Sequence, residues 1–562
     1  MELEEIIKKH ALKNAFDYGK ANAGAVVGKV IAEYPAAKTE MSATIRIIGE
    51  IVAKVNRMKR DEIVAEMAQY VYTEKKKEKK GIELPDAEYG KVITRFAPEP
   101  NGYLHIGHAK AALLSYESAR AYSGKMILRF DDTNPEKESQ EYVNAAKDSL
   151  KWLGIEWAAE TYTSDNIPRV YEAAEMLIAK QRAYVCTCDI ETLRKLRGKG
   201  EACPCRNLDI DENLARWKKM LSGGYKKGEA VLRYRGDLNS LNTVMRDPTL
   251  ARIMDAEHYR QGKKYRVWPS YDLSIVVMDA MEEITHPMRS KEYELRNELY
   301  YSLFDDLGWK RPKMIEFSRL SIKNAPISKR LLRPLVEEEK VSGWDDPRLP
   351  TLAALRRRGI LPEAIRNFIL SIGLSKTESE PGWELLLAEN RKLLDPVSRH
   401  YFFVRSPMLL KIKGLRKNVK IALHPKKEFG FREIEIAESV YISGDDAKTL
   451  KKGEIFRLKD LCNVLVLKKG KREIEGEVTK DSIVPKKIQW VAAGDELLCS
   501  IIIPHDLLKD EKYDPNSLEI AEGYCEMGCN NLSVGDVVQF ERVGFCRLDK
   551  KEKDRLLFVY SC

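Results

Sequence analysis

The sequence predicts a multidomain α/β protein built round a doubly wound, Rossmann-like parallel sheet. Two observations carry this. Strand and helix patterns alternate from Lys91 onward, the order that folds into a parallel sheet with helices on both faces. The chain also has 562 residues, too many for one core and enough for roughly three to five domains.

Residues 1–80 read as a helical extension. Leu3, Ile6, Ile7 and Ala11 recur at helical spacing, as do Ile45, Ile48, Ile51, Val52 and Val55, then Ile63, Val64, Met67 and Val71. Tyr34-Pro35 divides them into separate helices. Lys75-Lys76-Lys77-Glu78-Lys79-Lys80-Gly81 reads as a solvated linker, with contact to an RNA backbone as the alternative. Residues 90–165 form the first half of the sheet domain, with a strand at Lys125–Phe130 and a helix over 136–153. An insertion at 166–265 carries the first four cysteines. The α/β texture returns at Trp268, so 266–330 is the second half, and 331–395 is a helical connecting domain. From 396 to 562 short strands dominate, as in Arg432–Ile436 and Asn463–Leu467, with a turn at Ser443-Gly444-Asp445-Asp446. That pattern predicts barrels.

Hydrophobic residues make up 44%, enough for a sizeable core, and charged residues 32%, above the usual level of about a quarter. The net charge of +10 suits a nucleic-acid partner and equally suits a Lys-rich surface. No apolar run approaches the ~18–20 residues that span a bilayer, and the charged start is unlike a signal peptide. We expect no membrane association and a cytoplasmic location. There the ten cysteines read as thiols or metal ligands.

The stretch from Arg95 to Lys110, Arg-Phe-Ala-Pro-Glu-Pro-Asn-Gly-Tyr-Leu-His-Ile-Gly-His-Ala-Lys, reads as a strand, a turn and a helix starting at His105. Two histidines three apart share one face at a helix N-terminus, where free N–H groups and the positive helix end attract phosphate. His105 and His108 can donate to phosphate oxygens as charge builds, and Gly107 permits close approach. A basic loop, Phe317-Ser318-Arg319-Leu320 through Pro326-Ile327-Ser328-Lys329-Arg330, precedes a further helix. Cys186-Thr187-Cys188 and Cys203-Pro204-Cys205 can supply four thiolates to one tetrahedral Zn²⁺, or remain reduced thiols in a small subdomain. Cys499, Cys525, Cys529 and Cys546 form a looser group.

These motifs resemble class I aminoacyl-tRNA synthetases, and the flanks of His105–His108 narrow the resemblance to the glutamyl/glutaminyl branch. It extends from about Gly90 to the C-terminus, through Gly343–Thr351, Leu355–Gly359, Leu394–Val397 and Ile488–Val491. The all-β end and helical start resemble the archaeal type of glutamyl enzyme. The resemblance implies binding of ATP, with Mg²⁺, by Pro98, His105, Gly107, His108, Arg319, Leu320, Ser328 and Lys329, with His105, His108 and Lys329 catalytic. Pro326 stands where the family often has lysine, and Arg330 where it has serine. Asp131 is implied for the glutamate amino group, with Arg95 close by, Tyr271 for reading the side chain and Arg289 for the side-chain carboxylate. Some relatives hold structural zinc where the Cys-x-Cys pairs fall. The implied activity is glutamyl-tRNA synthetase, acting through glutamyl-adenylate on tRNA-Glu, with the insertion 166–265 binding the acceptor stem and the barrels of 396–562 the anticodon. Charging of tRNA-Gln, which would feed an amidotransferase, is a working expectation. Arg356-Arg357-Arg358 reads either as a grip on tRNA phosphates or as a solvated helix face. The alternatives are a glutaminyl-tRNA synthetase, against which Arg289 argues, and a non-catalytic synthetase-like RNA-binding protein, against which the intact site residues argue.

Overall fold

The computed structural model describes residues 2–70, 82–325, 329–378, 380–480 and 484–562, without the side chains of Asp17, Tyr18, Lys329 and Arg330. The Lys-rich linker and Pro326–Ser328 lie outside the described residues. The chain divides into two compact units, Met1–Gly81 and Ile82–Cys562.

The first unit holds helices Leu3–Tyr18, Ala23–Glu33, Met41–Val55 and Arg60–Met67, with Pro35 opening a 3₁₀ turn between the second and third. Ile7, Leu12, Val26, Val30, Ile48 and Val52 make its core. Helical spacing fixes which apolar residues point inward. Thr44, Ile48, Val52 and Val55 are buried on the third helix, whereas Ile45, one position off that stripe, is 50% exposed.

In the second unit, strands Ile93–Phe96, Lys125–Phe130 and Ala159–Tyr162 pair in parallel in that order. Helix Ile106–Ala121 crosses between the first two. Its return needs Gly124, where a Cβ would sit 2.1 Å from the Val92 carbonyl oxygen. Helix Gln140–Trp152 follows, capped by Ser139. A further parallel pair, Met288–Ser290 with Ile315–Phe317, lies beyond the first strand, whose Ile93 carbonyl accepts from the Thr285 and His286 amides. The insertion between these pairs contains a four-stranded antiparallel sheet, Ala183–Cys186, Val231–Tyr234, Thr249–Ile253 and Val267–Pro269. Trp268 thus belongs to that antiparallel sheet, and the helix Tyr271–Met281 begins directly after it.

Helices Lys329–Glu337, Leu352–Arg357, Pro362–Ile372 and Trp383–Leu394 follow. Leu352, Leu355, Ile365, Phe368 and Leu386 join the same core as Phe96, Ile106 and Leu128. The amide of Ile106 donates to Pro350 at 3.0 Å and that of Leu352 to Leu104 at 2.8 Å. These bonds clamp the His105 turn to the connecting segment.

The C-terminal part contains two seven-stranded sheets, one from strands between Met408 and Ala492 and one from strands between Arg399 and Tyr560. The expected alternation holds in Phe431–Ile436, where Arg432, Ile434 and Ile436 are buried. The expected turn at Ser443–Asp446 is instead the start of a short helix, Gly444–Thr449. Asp445 and Asp446 fall in its first turn, where the helix dipole favours carboxylates. Cys499, Cys525, Cys529 and Cys546 pack together in an apolar core.

Neither reading of the Arg356–Arg358 run fits Arg357 or Arg358. Arg357 forks onto Asp549 at 2.8–3.2 Å, and the buried Arg358 donates to the Ser561 carbonyl at 3.2 Å. Both are struts between the connecting helices and the last sheet. Only Arg356 is mainly exposed, paired with Asp148 at 3.0 Å. Arg357→Ala should leave the largely buried Asp549 with only the longer Arg547 contact at 3.4 Å and lower stability by about 1–3 kcal/mol, read as a shift in the urea midpoint of the catalytic and β regions.

Candidate active site

The strand-to-helix turn organises one end of the site. His105 is the N-cap of its helix, and its Nδ1 accepts from the Gly107 amide at 3.1 Å. His108 Nδ1 accepts from the His105 amide at 3.2 Å. Each Nδ1 is thus an acceptor, which leaves the proton of the neutral ring on Nε2 as a donor. The rings lie 3.8 Å apart. A Cβ on Gly107 would stand 2.9 Å from the His105 ring, so glycine here makes room for the imidazole as well as for a ligand.

A cavity of about 670 Å³ opens above this turn. Arg95, Pro98, His105, Gly107, His108, Asp131, Tyr271, Arg289, Arg319 and Leu320 all line it. Ten residues singled out from the sequence, spread over more than 220 positions, therefore meet at one site. Ser328 lies outside the described residues. Lys329 opens its helix with its side chain likewise outside them.

The floor of the cavity is a buried ion network. Asp279 accepts from Arg95 Nε (3.1 Å) and Nη2 (3.3 Å), from Arg129 Nη2 (2.8 Å) and from the Tyr300 hydroxyl (2.8 Å). Burial pushes its carboxyl up, but the two guanidiniums outweigh that and hold it below the usual carboxylate range. Arg129 also reaches Glu282 at 2.8 Å and Asp131 at 3.2 Å. Asp131 Oδ1 takes a second bond from Thr163 at 3.0 Å. Burial raises the Asp131 carboxyl, against the pull of Arg129 and Arg95. The remaining Arg95 nitrogen, Nη1, donates to the Met288 carbonyl at 2.9 Å. Arg95 is therefore already neutralised by Asp279.

Arg289 is different. It is 6% exposed, stacks over Tyr300 at 5.3 Å, and donates through Nη2 to Asn297. Its Nε and Nη1 are buried without a hydrogen-bond partner. Asn297 passes a bond to Glu316 at 2.6 Å, which pairs with Lys376 at 2.6 Å. One side of the fork is fixed and the other awaits an acceptor. Such a site suits a carboxylate.

Comparison with known proteins places this geometry. The family described as tRNA synthetases class I (E and Q), catalytic domain, matches residues 91–396, and two anticodon-binding domains of the same family match 398–485 and 487–549. The chain belongs to that family. It is an aminoacyl-tRNA ligase of class I. It is 45% identical to a glutamate–tRNA ligase of Nitrosopumilus maritimus, over 98% of each chain. It is 42% identical to that of Pyrococcus furiosus, over the whole of both.

This synthetase brings its Cys-x-Cys pairs together. Cys186 and Cys203 Sγ are 3.8 Å apart, and Cys188 and Cys205 Sγ 3.7 Å. Cys186, Cys188 and Cys205 lie within 4.8 Å of one another. These separations are far longer than a disulfide and equal the roughly 3.8 Å between thiolates that share a tetrahedral Zn²⁺ at ~2.3 Å. Arg216 points a guanidinium N–H at Cys205 Sγ at 3.6 Å, the Thr187 hydroxyl lies 3.6 Å from the same sulfur, and Cys203 Sγ donates to the Tyr184 hydroxyl at 3.7 Å. Cys186, Cys188 and Cys205 group closely enough to share a metal, and Cys203 stands beside Cys186 outside that group.

Arg129, Asp279, Asn297 and Lys110 escaped the sequence reading. Arg129 interrupts an apolar strand and Asp279 an apolar helix, and a charge in such a run demands a partner. That was the available signal. Lys110 is 1% exposed and donates to the Ser318 carbonyl (2.6 Å) and hydroxyl (3.1 Å). It ties the His105 helix to the start of the basic loop. Burial pulls its ammonium down from 10.5 to about 8. Between those values the unfolded chain holds a proton that the folded chain lacks, so this group adds stability as pH rises from 8 to 10.5. Lys110→Met removes that gain. Its stability relative to wild type should fall by roughly 2–3 kcal/mol between pH 7.5 and 10.5, measured by urea unfolding at each pH.

Proposed function

We propose that this synthetase joins glutamate to the 3′ end of tRNA-Glu through glutamyl-adenylate. The carrying observation is Arg289, a buried guanidinium with two unpartnered nitrogens. A side-chain carboxylate would complete it. The neutral amide of glutamine would leave its charge buried and unmatched, which is costly, and this disfavours the glutaminyl alternative. Asp131 receives the α-ammonium, Tyr271 flanks the side chain, and Arg95 sets the floor through Asp279. The α-carboxylate is left facing the nucleotide end, where it attacks the α-phosphate of ATP in line.

His105 and His108 donate Nε2–H to the phosphates as charge shifts toward the departing pyrophosphate. Arg319 sits at the mouth of the cavity, held by Glu292 at 2.8 Å, and reaches ATP from there. Pro98, Gly107 and Leu320 shape the nucleotide bed. Ser328 and Lys329 complete the phosphate contacts from the basic loop, with Lys329 as the point charge on pyrophosphate. Mg²⁺ arrives with ATP and shields its phosphates. The 2′-hydroxyl of the terminal adenosine then takes the glutamyl group. The C-terminal sheets read the anticodon by stacking and base-edge bonds. No editing site is required, since charged contacts discriminate strongly by themselves. The intact pocket disfavours a non-catalytic RNA-binding role.

We further propose that tRNA-Gln is charged with glutamate, supplying an amidotransferase, and that Cys186, Cys188, Cys203 and Cys205 hold a structural Zn²⁺. A cytoplasmic location suits free thiols and a tRNA substrate. No helix among the described residues is long and apolar enough to cross a membrane.

Aminoacylation with labelled glutamate and glutamine, each against tRNA-Glu and tRNA-Gln, tests the assignment. Glutamate on both tRNAs is expected. Glutamate on tRNA-Glu alone would remove the amidotransferase link, and glutamine on tRNA-Gln would overturn the reading of Arg289. Arg289→Ser should raise the glutamate KM at least about 30-fold, from the loss of a buried charge pair, with little change for ATP. For the metal, about one zinc per chain by atomic absorption is expected, and loss of that zinc in Cys188→Ser.

A further inference from the structure

We infer that His258 and Tyr259, on a turn of the insertion, are positioning residues that set Asp131 for the substrate amino group. The inference rests on the proposed role of Asp131. The next residue, Asp132, points away from the cavity into a buried polar cluster that the proposed mechanism does not use. Its Oδ1 accepts from the Ser164 amide at 2.8 Å, and its Oδ2 from the Ser164 hydroxyl at 2.7 Å and the Tyr259 hydroxyl at 3.0 Å. His258 Nε2 stands 3.8 Å from Asp132 Oδ2 and 3.5 Å from Glu138 Oε2, all three side chains being fully buried. His258 Nδ1 accepts from the amides of Arg260 and Gln261 at 3.2 and 3.1 Å, so the ring proton sits on Nε2 and faces the two carboxyls. The ring also stacks on Trp268, with centroids 4.8 Å apart. A backbone bridge between His258 and Gly262 stiffens the turn that carries it.

The strand end is thus held from two sides. Thr163 grips Asp131 while its neighbour Ser164 grips Asp132, and the insertion adds Tyr259 and His258. Glu138 Oε1 accepts from the Asn134 amide at 3.0 Å, which fixes the loop just beyond. Burial raises Asp132 to about 7 and Glu138 to about 9, so Glu138 is protonated at neutral pH and the cluster carries little net charge. Tyr259 and Ser164 bond Asp132 directly, whereas His258 Nε2 and Glu138 Oε2 make no hydrogen bond and face each other at 3.5 Å, so His258 acts by packing and by its dipole. The cluster gives a fixed direction to the adjacent Asp131 carboxylate. Because the two positioning residues belong to the insertion, they also tie the amino-acid pocket to the segment expected to hold the tRNA acceptor end.

The test is steady-state kinetics of the full chain with tRNA, measuring KM for glutamate, KM for ATP and kcat. Tyr259→Phe removes one hydroxyl and leaves the packing. It should raise the glutamate KM about 3–10-fold, the scale of a hydrogen bond to a charged group partly transmitted, with the ATP KM within about twofold. His258→Ala should do more, and His258→Gln, which keeps an N–H, should recover part of the loss. Asp131→Asn is the reference and should raise the glutamate KM more than any of these. If Asp131→Asn acts and Tyr259→Phe and His258→Ala do not, the inference is overturned while the pocket stands. A parallel rise of both KM values with a lowered melting temperature would also overturn it, since that marks a merely structural role. If Asp131→Asn leaves the glutamate KM unchanged, the amino-group reading fails and the inference with it.

Discussion

One carboxylate organises the catalytic body. Asp279 has no solvent exposure and accepts from two arginines and a tyrosine. Arg95 and Arg129 come from neighbouring parallel strands, paired Phe96 to Leu128, and two guanidiniums side by side in a sheet would repel without a shared counter-charge. The charge count around it matters. Arg95 and Arg129 face three carboxyls, Asp131, Asp279 and Glu282. Fully ionised, the network has one negative charge too many, and Asp131 at the cavity edge is where it can be met. On the far side of Tyr300, Arg289 has one positive charge without a direct counter-ion. A molecule with an ammonium at one end and a carboxylate at the other satisfies both, so the cavity is electrostatically incomplete in the pattern of glutamate.

The nucleotide end works by a different economy. In the proposed function it uses backbone groups, two neutral imidazoles and a helix N-terminus, a set that can stabilise developing negative charge without burying a permanent cation. What these groups need is fixed direction. The connecting segment supplies it by bonding at Leu104 and Ile106, either side of His105. Lys110, one turn further on, secures the same helix to Ser318. The His105 turn, the connecting segment and the start of the basic loop are therefore joined by direct hydrogen bonds.

Much of this was legible in the sequence because local patterns report local structure. The strand at Lys125–Phe130 and the helix opening at His105 follow from alternation, turn residues and capping. The residues that line the cavity were singled out through contiguous motifs. The partners of buried charges were not legible, since Asp279 is 184 residues from Arg95 and 150 from Arg129. Nothing in periodicity pairs residues across such distances. The same limit explains Arg357 and Arg358, whose partners lie some 200 residues away. Asp445 and Asp446 misled for a local reason: the residues that favour a turn also favour the first turn of a helix.

The amino-acid choice follows from how Arg289 is held. A guanidinium paired directly with a protein carboxylate would have no charge left for a substrate. Here the acid it reaches, Glu316, is one residue removed, because Asn297 accepts from Arg289 and donates to Glu316. Glu316 in turn is matched by Lys376. Burial raises the Glu316 carboxyl, but Lys376 and Asn297, with a smaller pull from Arg289, more than offset that and hold it below its ordinary value. The amide relay orients the arginine without neutralising it. That separation of orientation from neutralisation leaves a buried arginine able to take an anion, and under the proposed function it would tie specificity to Asn297 as firmly as to Arg289 itself.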